Sequence, residues 1–304
     1  MKCFLPFVAA TLVCLPLAAQ DKSARPRITG IHNIRFYISN IAKSREFYGN
    51  ILGFHPSDYR CTDVSHSCFG VRWGRKQHIE LQQATSPAHK NWLAEVAFAT
   101  DDVTQMRRYL VAHRVKVGAI SKGADDTKQF ELNDPEGNLI AFVGYTGSSI
   151  DDPPFSNFAS EDIIHAGFVV HDRATEEHFY KDILGFHPYW HGGMKDDQTD
   201  WVSLQVPDGT DWLEFMVNVS PNADKKELGV MNHIALGVPD IKVAREQLIK
   251  NGWKPGEEPQ IGRDGKWQLN LYDPDDTRVE FMEFKPVQKP CCSEFTGPHP
   301  GPKQ

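Results

Sequence analysis

Two histidines and two glutamates, His165, Glu214, His233 and Glu280, follow one another at spacings of 49, 19 and 47 residues. Strand periodicity places each histidine at the start of a first strand and each glutamate within a closing strand, so all four fall on one sheet face. Imidazole and carboxylate donors converging from equivalent strands suit one divalent ion, Zn²⁺, Ni²⁺, Fe²⁺ or Mn²⁺, with positions left for water or substrate. Cysteine is absent from the set, which argues against a closed structural zinc. An ion held this way chelates adjacent oxygens of a small molecule and stabilises an oxyanion or enediolate beside a carbonyl. Glu214 and Glu280 are then the candidate catalytic bases, because proton transfer needs a carboxylate within hydrogen-bond reach of carbon.

These positions rest on an internal repeat. Residues 47–56 match residues 179–188 at eight of ten positions, an offset of 132. Two copies of one unit at that spacing fill most of the chain. The turn clusters at 133–138 and 272–277 end both copies alike. Periodicity divides each copy again, giving four modules of strand, helix and hairpin strands. First strands are expected at 31–38, 93–100, 164–170 and 232–238, and helices at 42–50, 103–113, 174–183 and 241–251. Closing strands are expected at 78–82, 139–144, 212–217 and 278–284.

Alternation then sorts the faces. Phe168, Val170, Leu213, Phe215, Val217, Ile234, Leu236, Val238, Val279 and Phe281 form the apolar set that packs on the helices. Each is worth roughly 1.5–3 kcal/mol when buried, enough to fix which face turns inward. The four candidate ligands lie opposite, among Gly167, Ala235, Gly237, Met216 and Met282.

The first copy lacks the ligand set. Asn33 and Glu95 stand where His165 and His233 stand, Glu80 where Glu214 stands and Ala141 where Glu280 stands. No imidazole contributes, and Arg35 shares the face, so it is expected to pair with Glu80 or Glu95 in place of a metal. His32 is one step along the strand and turns away. His55, His66, His89, His113 and His299 read as solvated or hydrogen-bonded residues. Trp190, Trp201 and Trp267 could line a groove or fill core.

The 304 residues carry 33 basic and 40 acidic side chains for a charge of -7, with 40% hydrophobic residues. That is ordinary globular composition, and the lack of a basic block argues against nucleic acid as the partner. Lys2 ahead of an apolar run and Leu17-Ala18-Ala19 reads as a signal peptide over 1–19, hence a secreted or periplasmic protein with no stable membrane span after cleavage. Domains are expected at 27–145 and 162–285, joined by a linker at 146–161 and followed by a Pro-rich tail at 286–304, disordered or attached late to the surface. Cys61 and Cys68 could close a short disulfide in an oxidising compartment, or remain free thiols.

Residues 232–240, the helix end at 179–186, and Asp273-Pro274 seven residues before Glu280 resemble the vicinal oxygen chelate superfamily. Its members include glyoxalase I, bleomycin and fosfomycin resistance proteins, methylmalonyl-CoA epimerase and extradiol dioxygenases. The resemblance spans roughly residues 27 to 285. It implies an α+β fold of four tandem βαβββ modules, paired into two glyoxalase-like domains whose curved mixed sheets curl around a metal. The His, Glu, His, Glu order is most similar to glyoxalase I, which implies His165, Glu214, His233 and Glu280 as metal ligands and a glutamate as base. The four-module length resembles extradiol dioxygenases instead, which implies an iron triad of His165, His233 and Glu280. The dioxygenase signature, however, wants a histidine upstream of a tyrosine two residues before Asp-Pro. Here Tyr272 abuts Asp273 and residues 266–271 hold no histidine.

The expected function is therefore metal-assisted lyase or isomerase chemistry on a hydroxycarbonyl-type small molecule, by a monomer or homodimer. Its alternatives are an Fe(II) ring-cleaving dioxygenase and a non-catalytic binding protein of the bleomycin-resistance kind.

Overall fold

The computed structural model describes residues 24–302 except 58–60, 62, 64, 72–76, 87–91, 124–125, 146–156 and 161. The expected leader, His89 and most of the expected linker lie outside the described residues.

Each module starts with a strand that runs into a capped helix. Asn40, Asp102, Asp172 and Asp240 hold the same place in the four copies, and each side chain accepts a backbone N–H of the first turn that follows. Such a cap satisfies an orphan donor and is worth ~1 kcal/mol. The helices are α1 (Ile41–Arg45), α2 (Val103–Ala112), α3 (Arg173–Glu177), α4 (Lys225–Met231) and α5 (Ile241–Lys250). Two differ from the regular helices expected at 42–50 and 174–183: they pass into π-helical turns, Glu46–Ile51 and His178–Ile183. Each wide turn buries two consecutive aromatics, Phe47 with Tyr48 and Phe179 with Tyr180. A regular helix would point such neighbours about 100° apart. Gly53 and Gly185 follow at φ +77 and +78, where a side chain is strained.

The first sheet comprises β1 (Ile28–Ile38), β2 (His55–Pro56), β3 (Ser67–Gly70), β4 (His78–Gln83), β5 (Leu93–Thr100), β6 (Ser121–Lys122), β7 (Thr127–Asn133) and β8 (Leu139–Tyr145). The second comprises β9 (Asp162–Val169), β10 (His187–Gly192), β11 (Trp201–Gln205), β12 (Trp212–Met216), β13 (Ile234–Val238), β14 (Gln260–Ile261), β15 (Trp267–Tyr272) and β16 (Arg278–Glu283). Their orders are β2-β3-β4-β1-β5-β8-β7-β6 and β10-β11-β12-β9-β13-β16-β15-β14. In every module the first and closing strands pair in parallel, and the two first strands of a domain meet antiparallel at the sheet centre. This brings the candidate ligands together: the parallel register sets His165 opposite Trp212 and Ala235 opposite Glu280, while the antiparallel register sets Ala235 opposite His165. All ten side chains assigned to the apolar face of the second copy belong to, or pack on, one core cluster.

The domains exchange hydrogen bonds. The Tyr48 phenol donates to Asp273 at 3.1 Å, and the Tyr180 phenol to Asp134 at 3.2 Å, so the repeated tyrosine of each copy reaches the Asp-Pro turn of the other. Gln77 donates to the Ile163 carbonyl and accepts from the Ile163 amide.

Two features depart from expectation. Helix α4, capped by Asp224, fills the connection between β12 and β13, which showed no apolar period. The tail is fastened to the edge of the second sheet by Thr296 N to Tyr189 O (3.0 Å), Trp190 Nε1 to Cys291 O (3.2 Å) and Gln205 Nε2 to Pro298 O (2.9 Å). Of the two expectations for it, surface attachment describes residues 286–302 and disorder does not. Proline and glycine removed regular structure without removing side-chain and carbonyl anchors. Among the described residues no helix is long and apolar enough to cross a membrane.

Candidate metal centre

His165 lies on β9, Glu214 on β12 and Glu280 on β16, while His233 sits at the junction of α4 and β13. The His233 backbone bridges to Gly167 on β9, donating at 3.3 Å and accepting at 2.8 Å. A Cβ on Gly167 would stand 2.2 Å from the His233 ring, so only glycine admits the imidazole there.

The four side chains converge. His165 Nε2 and His233 Nε2 are 3.0 Å apart. Glu280 Oε2 lies 3.6 Å from the first and 3.7 Å from the second, and Glu214 Oε2 lies 3.6 Å from His233 Nε2. Each of His165, Glu214 and His233 offers a ligand atom within 4.8 Å of the others. Both histidines are fully buried, and Glu280 is nearly so.

Burial decides the protonation states. It pulls both imidazoles well below their usual range, helped by the Arg278 charge, so they are neutral, as metal ligands must be. Burial pushes Glu214 up to about 8, with the Glu280 charge adding, and pushes Glu280 up to about 7. Two carboxylates with proton affinities that high are held ready for a cation. His233 Nδ1–H donates to the Met231 carbonyl at 2.9 Å, which leaves the Nε2 lone pair to Arg278 Nη2 at 2.8 Å, with His165 Nε2 at 3.0 Å. Among the described residues His165 Nδ1 has no hydrogen-bond partner, in a fully buried ring. Two ring nitrogens 3.0 Å apart with two carboxylate oxygens around them fit a divalent ion, which would satisfy all four at once.

A cavity of about 310 Å³ opens beside the centre and is lined by Glu214 and Glu280. Arg278 also lines it, with Nη2 2.8 Å from His233 Nε2, so a guanidinium faces the two carboxylates. Trp190 and Trp201 are in its wall, whereas Trp267 packs on the main core. Tyr189, Trp212, Lys266, Arg263, Asp264 and the tail's Phe295 are also among its lining residues.

Sequence reading missed Arg278, Lys266, Trp212 and Phe295. Arg278 was accessible to it: two residues before Glu280 means the same strand face. Lys266 could have been found by folding β15 back on β16, where Gln268 opposes Met282 and Asn270 opposes Glu280. Phe295 offered no signal, because no periodicity ties an irregular tail to a sheet.

The first copy is different, as its residues implied. Arg35 Nη2 donates to Glu95 at 2.8 Å, and Glu80 Oε1 meets His66 Nδ1 at 2.8 Å. Asn33 Oδ1 lies 2.7 Å from His32 Nδ1, and Ala141 is buried with Ala97 and Val143. Cys61, Cys68 and Glu80 also come together, but the two cysteines are joined as a disulfide.

The family model for the Glyoxalase/Bleomycin resistance protein/Dioxygenase superfamily matches the chain twice, over residues 30–142 and 162–281. A curated relative, 4-hydroxyphenylpyruvate dioxygenase of Yarrowia lipolytica, is 23% identical over 271 residues, covering 75% of this chain and 68% of that protein. The fold is similar to that of the Mn(II)-bound glyoxalase of Novosphingobium aromaticivorans, at TM-score 0.63 and 17% identity over 85% of this chain and 83% of that one. It is also similar to the 2,3-dioxygenase LapB of Pseudomonas sp. KL28, at TM-score 0.65 and 16% identity over 92% and 96% of the two chains. With both halves matched, the chain belongs to the Glyoxalase/Bleomycin resistance protein/Dioxygenase superfamily.

Proposed function

We propose that the chain is a divalent-metal-dependent enzyme that transfers a proton next to a carbonyl of an oxygen-chelating small molecule, in the manner of a lyase or isomerase. The observation that carries this reading is the second carboxylate. Glu214 Oε2 and Glu280 Oε2 stand 3.6 and 3.7 Å from His233 Nε2, so one glutamate can hold the ion while the other exchanges a proton. His165, His233, Glu214 and Glu280 would be the ligands. A bound divalent ion supplies Lewis acidity, drawing charge toward substrate oxygens. Glu214 and Glu280, pushed up to about 8 and about 7, have proton affinities near neutral pH, where a general base works best.

A second reading is oxygen-dependent cleavage with His165, His233 and Glu280 as the only ligands. It is supported by the curated relative's name and by the dioxygenase folds. One experiment separates the two: turnover of α-hydroxycarbonyl and catechol panels by chain loaded with Fe(II), Mn(II), Ni(II) or Zn(II), with and without oxygen. Product formed anaerobically supports proton transfer, and oxygen consumed one-to-one with substrate supports cleavage. Ligand binding that survives chelation and His233→Ala, without turnover, points to a binding protein. A leader over residues 1–19 would send the chain outside the cytoplasm, where a thiol adduct is a less available substrate than a free hydroxycarbonyl or phenol.

A further inference from the structure

Lys266 is wholly buried, and its ammonium is enclosed by rings: its Nζ is 4.5 Å from the centre of Trp212, 5.1 Å from Phe295 and 5.4 Å from Tyr189. The Tyr189 hydroxyl, 3.5 Å away, is its nearest hydrogen-bonding group. No carboxylate oxygen of the described residues comes within 4.0 Å of it. An ammonium has three donors and loses its hydration on burial, and ring faces compensate only in part. Lys266 lines the cavity that the candidate metal centre shares, and the charges of Asp264, Glu280 and Glu214 act on it from beyond ion-pair distance.

The enclosure is built, since three of its parts come from distant segments that fix one another. Thr296 anchors the tail on Tyr189 through the main chain, the Tyr189 hydroxyl meets His299 Nδ1 at 2.7 Å, and the Phe295 ring packs on Tyr189 at 4.9 Å. Beyond Phe295, the Trp190 and Trp201 rings lie nearly parallel, at 16°. Flat rings thus make up much of the wall, and ring faces favour a planar ligand.

We propose that Lys266 is the anion anchor of this cavity, and that its ligand is a planar small molecule carrying a carboxylate at the end away from the metal centre. The proposal rests on the reading of the cavity as the substrate site, and it names the substrate class. Burial pushes the Lys266 ammonium down only to about 8, so it stays protonated at neutral pH. Arg278 Nη2 is 2.8 Å from His233 Nε2, so in this proposal Lys266 takes the carboxylate and Arg278 the chelating oxygens.

The test is calorimetric titration of the full chain with para-hydroxybenzoate and with its neutral counterpart, para-hydroxybenzamide. The wild type should bind the acid at least about tenfold more tightly than the amide. Lys266→Met should abolish that preference through loss of affinity for the acid, with the amide within about twofold of wild type. Phe295→Ala should weaken both ligands together and keep the preference. Equal affinities of acid and amide for the wild type, or no binding of either, overturn the proposal, and neither result needs a variant to fold. The same titration on His165→Ala/His233→Ala, beside elemental analysis, keeps the two readings apart. A retained acid preference without metal in any sample removes the metal centre and leaves the anchor standing, whereas stoichiometric metal with no preference removes the anchor alone.

Discussion

Arg35 and Glu95 form a buried ion pair at 2.8 Å, with Glu95 in the place that His233 takes in the second copy. The Arg35 guanidinium thus pairs with the first copy's counterpart of a candidate metal ligand. Breaking such a pair leaves one uncompensated buried charge, at a cost of about 3–5 kcal/mol, while replacing both partners by apolar groups is often neutral. Arg35→Met should therefore lower the denaturation midpoint sharply, and Arg35→Met/Glu95→Leu should restore most of it. Equal midpoints for the two variants would falsify the pairing as a structural device.

The second copy should take up about one ion per chain when purified without chelator or tag-derived nickel. His165→Ala/His233→Ala should lose it by elemental analysis. Protons compete for Glu214 and Glu280, whose affinities burial has raised, so apparent metal affinity should weaken as pH falls below about 7. An affinity flat across that range would mean the carboxylates are not ligands. Glu280→Gln should keep the fold and reduce turnover by about 10²–10⁴-fold.

Glu176 provides a pH effect away from the site. Burial pushes this carboxyl up to about 8, with Asp134 adding repulsion, while its Oε1 accepts the Glu136 amide. A folded-state value above the unfolded one means the fold binds the proton more tightly. The stability this contributes is full below the ordinary carboxylate range and is lost as pH rises through about 8. Glu176→Gln keeps an acceptor and removes the titration, so its melting temperature should fall less than wild type between about pH 6 and pH 9. Parallel curves would assign the pH dependence elsewhere.

The Cys61–Cys68 disulfide closes a loop of sequence separation 7. Loop-closure entropy for so short a ring gives about 2–3 kcal/mol. Cys61→Ala/Cys68→Ala should lose that much in denaturant titration, and an unchanged midpoint would show that the loop is already confined without the bond.

The strand framework was legible because both faces of each second-copy strand carry a constraint. One face must be apolar to cover helices, which isolates His165, Glu214, His233 and Glu280 as polar exceptions recurring at matching places. The caps emerged only from the structure: Asn40, Asp102, Asp172 and Asp240 stand at matching places in the copies, and each caps the helix that follows. The π-helical turns were not legible, since the Phe-Tyr pairs read equally well as one more helical turn. Lys266 was invisible as an anchor because a lone lysine beside Asp264 and Gly265 in a turn has the signature of a solvated residue. Its burial depends on Phe295 arriving from a tail with no pattern of its own.

The crossed bonds from Tyr48 to Asp273 and from Tyr180 to Asp134 also bear on the halves as heritable units. The turn braced by Tyr48 leads directly into the strand that carries Arg278 and Glu280, so a residue of one half helps to position the candidate site of the other. Once a duplicated chain is stitched this way, neither copy can be discarded or shuffled to another protein without loosening a turn in the one that stays. The first copy, which has no imidazole at the matching places, thus serves as a splint for the second.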